Sequence, residues 1–212
     1  MFKLQQTQVC QVEKISACHK RCFPASVSSK LGIEYLNKTF KWFFLGNNRF
    51  LFHIESDAKI VGYCGGFRSS YYGDGSTSGM LQYAMPEAIR GIMRKPYLLF
   101  HPELIKRYPL IFKNARRSIS KNRGYIPVSN YYDSDKAKIG LVVIGVLPEY
   151  RGKGCFELLM QHFEEECKKR NAEKMILSVK ALNARAIAAY RKAGWEISSQ
   201  TKNGVEMFKM VV

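Results

Sequence analysis

Residues Ile139 to Leu147 form an apolar run rich in valine and isoleucine, followed by Pro148 and then by Arg151-Gly152-Lys153-Gly154-Cys155, after which a helical pattern begins. A near-continuous apolar stretch of this length predicts a strand buried on both faces, the centre of a sheet. A two-glycine turn must then carry the chain into the helix. This arrangement suits phosphate: glycines let the backbone approach closely, successive N–H groups point outward, and the helix start carries positive dipole. Arg151 and Lys153 add charge. Taken alone, the same residues also describe an ordinary strand-to-helix turn on a solvated surface.

The flanking patterns predict a mixed α/β layer fold. Residues 5–22 carry Val9, Val12, Ile15 and Cys18 near helical spacing and predict a helix ended by Pro24, and residues 30–45 predict a second. Arg49–Ile54 and Ile60–Phe67 predict a β-hairpin. After the glycine turn, Leu158, Leu159, His162, Phe163 and Cys167 predict a helix to about Lys169, Lys174–Ala181 a strand, and Asn183–Ala193 a short helix stopped by Gly194. Trp195–Ser199 and Val205–Val211 predict a closing hairpin with Trp195 in the core. Between these halves, residues 68–135 break the pattern, with a glycine-rich loop at 73–79 and helix-like pieces punctuated by Pro86, Pro96, Pro102 and Pro109. The chain therefore predicts a single domain, 1–212, with an insertion at about 68–135 that can serve as a lid or acceptor pocket.

The charge balance of 34 Lys+Arg against 17 Asp+Glu favours anionic partners. Ten of the basic residues (Arg90, Arg94, Lys95, Lys106, Arg107, Lys113, Arg116, Arg117, Lys121 and Arg123) fall in a stretch with one acidic residue, Glu103. They read either as a solvated helical face or as recognition of an anionic acceptor. Nucleic acid or an acidic membrane surface is the weaker reading, because phosphate recognition clusters arginines and these are dispersed. The six cysteines are scattered and read as reduced thiols. Cys18-His19-x-x-Cys22 has no second cluster to close a metal site, so no metal is expected. No apolar run reaches the roughly 20 residues of a membrane-spanning helix, and the first residues lack a secretory pattern, so a cytoplasmic location is expected.

Two segments carry a more specific signal. Val146-Leu147-Pro148-Glu149-Tyr150-Arg151-Gly152-Lys153-Gly154, followed about 30 residues on by Asn183-Ala184-Arg185-Ala186-Ile187-Ala188-Ala189-Tyr190-Arg191-Lys192-Ala193-Gly194-Trp195, closely resembles the GNAT family of N-acetyltransferases. The resemblance is specific over about Lys138 to Met210 and leaves the insertion outside it. It implies a central mixed sheet flanked by helices, with the long, mostly helical insertion between the third and fourth strands. It implies acetyl-CoA as acyl donor, no metal, an amine acceptor and a tendency to homodimerise. By the same resemblance the turn Arg151, Gly152, Lys153, Gly154 and Cys155 holds the coenzyme A pyrophosphate. Phe156 stands where the family motif has a small residue, which crowds the helix start. Ile144, Gly145 and Val146 would line the pantetheine arm where neighbouring strands splay apart, and Asn183 would contact the coenzyme near its pantetheine.

Tyr190 matches the family's thiolate acid. Attack by an amine expels a thiolate, and a phenol of pKa about 10 held within hydrogen-bond reach can protonate it. The competing reading is an aromatic packed on a helix. The ammonium of the acceptor must also lose a proton. Family members that acetylate ribosomal-protein N-termini carry a glutamate five residues before the position of Asn183, where this chain has Ser178. Glu55, Glu34 and His53 are the remaining candidates for a base. The acceptor expected is a small, anionic amine such as an amino sugar; a protein or peptide amine, or a basic nucleic-acid-binding module on the same scaffold, are the alternatives.

Overall fold

The computed structural model describes residues 2–69, 76–105 and 137–211. Seven strands form one sheet: β1 Lys3–Gln6, β2 Arg49–Ser56, β3 Lys59–Ser69, β4 Ala137–Val146, β5 Ala172–Lys180, β6 Glu196–Gln200 and β7 Gly204–Met210. Their order is β1-β2-β3-β4-β5-β7-β6, which puts the apolar run at the centre as expected. Every pairing is antiparallel except β4 with β5. The helices are α1 Val12–Cys22, α2 Val27–Leu31, α3 Ile33–Lys41, α4 Ser76–Tyr83, α5 Met85–Arg94, α6 Pro102–Ile105, α7 Cys155–Lys169 and α8 Ala184–Lys192. The insertion lies between β3 and β4, the third and fourth strands.

The expected hairpin is β2–β3, closed by Asp57 and Ala58 at φ 51° and 59°, a two-residue left-handed turn that follows the strand twist. The first helix is shorter than expected. Residues 3–6 form an edge strand on β2, and a reciprocal pair of Gln8 and Gln11 side chains caps the turn that leads into α1. Polar Gln5 and Gln6 suit an exposed edge, and apolar spacing could not separate them from the helix that follows. The second helix is interrupted by Gly32 at φ 115°, which divides α2 from α3. In the insertion, Pro86, Pro96 and Pro102 stand at the starts of helical pieces, where a missing N–H costs nothing. Ser76–Gly79, expected in a loop, belongs to α4. Pro109 and the basic residues from Lys106 to Arg123 lie outside the described residues.

The core has two parts. The larger is gathered by the sheet, with α7 (Leu159, Phe163, Cys167) on one face and α1 and Phe40 of α3 on the other. The smaller joins the insertion to the scaffold: Ala84 and Leu98 pack with Val27, Leu31, Tyr35 and Leu36. The described part of the insertion is thus seated on α2 and α3.

Candidate active site

The central strand is not paired along its whole length. The parallel ladder between β4 and β5 ends at Gly140↔Ile176, while β4 continues to Val146 against β3 alone. The expectation of burial on both faces therefore fails in part: Leu141–Ile144 are only half-buried, because the sheet splays beside them. Leu147 donates its N–H to Val61 O on the β3 side, so by the alternation of an antiparallel ladder Val146 and Ile144 direct their backbone groups into the gap. The Val146 carbonyl is taken there by Arg151 Nε at 3.1 Å. By that alternation the Ile144 N–H and C=O and the Val146 N–H face the gap, while Gly145, expected beside them, pairs with Tyr63 of β3.

The glycine turn closes one end of this gap. Gly152 and Gly154 have φ 75° and 82°, and a Cβ on either would meet nothing within 4 Å, so both are left-handed and open. Among the described residues no side chain caps the start of α7, and its first N–H groups can serve an anion. The residues fit a pyrophosphate in this respect. Lys153 is exposed, with Nζ 5.4 Å from the Tyr150 ring centroid. Arg151 does more than its family position suggested: besides the Val146 carbonyl, its Nη2 donates to Cys22 O at 3.1 Å. Its guanidinium braces the turn against β4 and the end of α1. Cys155 is buried at the helix start, and burial pushes its thiol above the usual range.

Tyr190 on α8 is buried, its ring edge-on to Phe156 at 5.6 Å and tilted against Trp195 at 6.0 Å. Phe156 thus links the start of α7 to the tyrosine, a contact that a small residue could not make. Burial, then the neighbouring Cys64, raises the Tyr190 phenol above its ordinary value, so it is protonated across the neutral range. Among the described residues its hydroxyl has no hydrogen-bond partner. Asn183 is exposed and caps α8, its Oδ1 accepting from Ala186 N at 3.2 Å. Asn183→Ala is expected to lose about 1 kcal/mol in thermal unfolding, and Asn183→Asp to restore it. Acetyl-CoA affinity that stays low in Asn183→Asp would assign the amide N–H a coenzyme contact; affinity restored with stability would leave only the cap.

None of the three carboxylate or imidazole candidates for a base reaches the gap. His53 is sealed on β2, with Nδ1 2.8 Å from Thr7 Oγ1 and Nε2 3.3 Å from Glu55 Oε1. Glu34 pairs with Arg94 on the surface. The group that does sit beside β4 is Tyr63, the cross-strand partner of Gly145. A Cβ on Gly145 would lie 2.6 Å from Tyr63 Oη, so the absent side chain is what admits the phenol. Tyr63 Oη is 2.6 Å from His19 Nδ1, and His19 Nε2 is 3.2 Å from Ser28 Oγ. With both ring nitrogens engaged, His19 has none left for the metal cluster considered with Cys18 and Cys22, whose sulfurs lie 4.0 Å apart. Sequence periodicity gave His19 no signal, because its partners are contributed by β3 and α2.

Burial lowers the His19 pKa from 6.5 to about 4, so its imidazole is neutral in the folded protein at pH 7. The sign follows from linkage. Between pH 6.5 and 4 the unfolded chain binds a proton that the folded one does not, and stability falls as pH falls through this window. At about 1.4 kcal/mol per pKa unit the full loss approaches about 3 kcal/mol. Denaturation midpoints measured from pH 7 to 4 should fall more steeply in wild type than in His19→Gln.

The insertion ties α2 to the C-terminal end of β5. Glu103 of α6 accepts from Val27 N at 3.2 Å and pairs with Lys180 at the end of β5. Burial pushes its carboxyl up, but these donors more than offset that, and it lies below its usual range. Of the ten basic residues, those described are engaged locally: Arg90 with Glu87, Arg94 with Glu34, and Lys95 with the Lys30 carbonyl.

A mixed sheet that splays at its centre, beside an uncapped glycine turn entering a helix, is the frame of an acetyl-CoA-dependent N-acetyltransferase. A family model described as the acetyltransferase (GNAT) family matches residues 80–195, more than half of the chain, and the chain belongs to that family. The match opens inside the segment read as an insertion and closes at Trp195, so the family region begins earlier than the Lys138 expected. Solved structures share the fold. The ribosomal-protein-S18-alanine N-acetyltransferase from Escherichia coli is 16% identical with a TM-score of 0.55, over 100% of this chain and 94% of that one. The PaiA N-acetyltransferase from Thermoplasma acidophilum, in complex with coenzyme A, is 11% identical with a TM-score of 0.57, over 99% of each. Arabidopsis thaliana NAA60, in complex with acetyl-CoA, is 11% identical with a TM-score of 0.56, over 100% of this chain and 99% of that one. No curated protein sequence matches. Among the described residues, no helix is long and apolar enough to cross a membrane.

Proposed function

We propose that the protein transfers the acetyl group of acetyl-CoA to the primary amine of a small acceptor by direct attack, with Tyr190 protonating the departing thiolate. The observation that carries this reading is the open edge of β4 beyond Gly140, bounded by the glycine turn. Ile144 and Val146 would hold the pantetheine arm by their backbone groups, and a backbone N–H at this strand would polarise the thioester carbonyl. The first N–H groups of α7, with Lys153, would hold the pyrophosphate. The Glu103 bridge from α2 to the C-terminal end of β5 supports a small acceptor, since it ties the insertion to β5 beside the stretch where β4 and β5 part. An acceptor that is anionic, such as a phosphorylated amino sugar, suits the net charge of +17.

Thiol release from acetyl-CoA is the test, with glucosamine 6-phosphate and Ala-Gly-Gly as acceptors beside Glu103→Gln. Release with the sugar and not the peptide is expected. Release with the peptide alone, rising in Glu103→Gln, would replace the small acceptor by a peptide terminus. Absence of acetyl-CoA binding would overturn the whole reading.

A further inference from the structure

Strands β5 and β7 present two unlike faces. Met175, Leu177, Val205 and Met207 are sealed in the core on the α7 side. Their neighbours point the other way, and directly paired residues share a face: Lys174 with Met210, Ile176 with Phe208, and Ser178 with Glu206. Ile176 is 37% exposed, Ser178, Glu206 and Met210 are exposed too, and among the described residues no helix covers this face. It adjoins the gap. Ile176 is the last residue of β5 on the β4 ladder, opposite Gly140, and a Cβ on that glycine would lie 3.9 Å from Ile176 Cγ1. Ser178, two residues on, stands where β4 has already parted from β5. In the other direction Lys174 holds its Nζ 4.0 Å from the Phe208 ring centroid and meets no carboxylate among the described residues. Lys138 of β4 is in register beside it. The face therefore carries cations before the last rung and the Glu206 carboxylate beyond it, and it ends at Lys180, which pairs with Glu103 of the insertion.

We infer that the acceptor lies along this face, with its anionic group on Lys174, its body on Ile176 and Phe208, and its amine beyond the last rung. The inference rests on the acetyl-transfer reading and deepens it by assigning a site to the acceptor's anion. The side of approach follows from the other parts of the site. The glycine turn enters α7, and Tyr190 touches the start of that helix through Phe156. The coenzyme and the acid thus gather on the α7 side, and an amine attacking a thioester at the open edge of β4 has the opposite face to come from. The direction follows from charge: an ammonium is drawn toward Glu206 and an anion toward Lys174 and Lys138. The contact with Phe208 keeps the Lys174 ammonium over the sheet, where a phosphate oxygen can replace the ring as its partner. From Lys174 to Ser178 the strand rises about 13 Å, and the lysine side chain reaches over part of that length, so one small molecule can touch both ends. Of the lysines and arginines in the insertion, those described are engaged locally, and Lys174 supplies the cation that they do not.

The experiment measures kcat and KM for glucosamine 6-phosphate and for glucosamine in wild type, Lys174→Gln and Lys174→Arg, at saturating acetyl-CoA. Expected in Lys174→Gln is a KM for glucosamine 6-phosphate raised about 10- to 100-fold, the loss of a charge-assisted hydrogen bond, with kcat within about 2-fold. The KM for glucosamine, which has no phosphate to lose, should move by less than about 2-fold, and Lys174→Arg should recover most of the deficit. An equal change for both sugars, or none for the phosphorylated one, would overturn the inference and leave acetyl transfer standing. A binding measurement stands beside the kinetics. Adding glucosamine 6-phosphate should shift the Phe208 ring proton resonances in wild type, as the ammonium above the ring gains a new partner. Resonances that stay in place while wild type acetylates the phosphorylated sugar overturn the inference alone. Turnover of Ala-Gly-Gly and of neither sugar removes the small anionic acceptor and the inference with it, and failure to bind acetyl-CoA removes the acetyl-transfer reading as well.

Discussion

Replacing Tyr190 with phenylalanine is expected to lower kcat by about 100- to 1,000-fold, the range of a lost general acid, while acetyl-CoA affinity stays within about 2-fold. The substitution keeps the ring and its packing on Phe156 and Trp195 and removes one hydroxyl, which bonds to nothing else among the described residues. Thermal stability should therefore stay within about 1 °C, separating chemistry from fold. The pH profile adds a second reading. Because burial raises the Tyr190 phenol, loss of its proton should not limit the rate within the ordinary tyrosine range, and a wild-type rate falling near pH 10 from this group would contradict the environment described. A kcat unchanged in Tyr190→Phe would return Tyr190 to the role of a packed core aromatic.

Gly66→Val should produce the largest loss of stability, about 3 kcal/mol, read as a fall of about 6–12 °C in Tm. A Cβ at Gly66 would lie 2.2 Å from Phe50 Cζ and 2.8 Å from Phe163 Cε2. Neither ring can retreat: both are sealed, and Phe50 is stacked on Phe52 and covered by the Arg170 guanidinium at 4.6 Å. The glycine also stands at the register shift between β3 and β4, so displacing it disturbs the strand that forms the gap. Trimming the obstacle in Gly66→Val/Phe50→Leu should recover part of the loss. A double variant no more stable than the single one would locate the strain in the backbone instead.

The contrast between legible and illegible parts follows from how far apart the interacting residues lie in sequence. The apolar run, its glycine turn and α7 are local, and period and punctuation placed them. The short helix that carries Asn183 and Tyr190 was legible because its spacing and the Gly194 stop are local, whereas the Asn183 cap was not read from the sequence. The edge strand Lys3–Gln6 was not, since three polar residues and one leucine become a strand only because β2 offers a free edge. The division at Gly32 was hidden by apolar spacing that continues across it. His19 and Tyr63 are separated by 44 residues and meet only after the sheet forms, so no pattern in either segment could pair them. Arg151 shows the reverse case: its position was legible, but its commitment to the carbonyls of Val146 and Cys22 depends on α1 ending beside it.

The short ladder between β4 and β5 has a mechanical consequence. Strands β1 to β4 make one leaf, and β5, β7 and β6 another. Along the sheet they are stitched together only from Ala137 to Gly140. A seam closed over part of its length lets the leaves change their angle without breaking a hydrogen bond elsewhere, so the width of the slot is a soft coordinate of an otherwise stiff molecule. Amides at Ile144 and Val146 should accordingly exchange with solvent faster than their neighbours at Gly145 and Leu147. Acyl groups longer than acetyl would be discriminated by how far the seam yields.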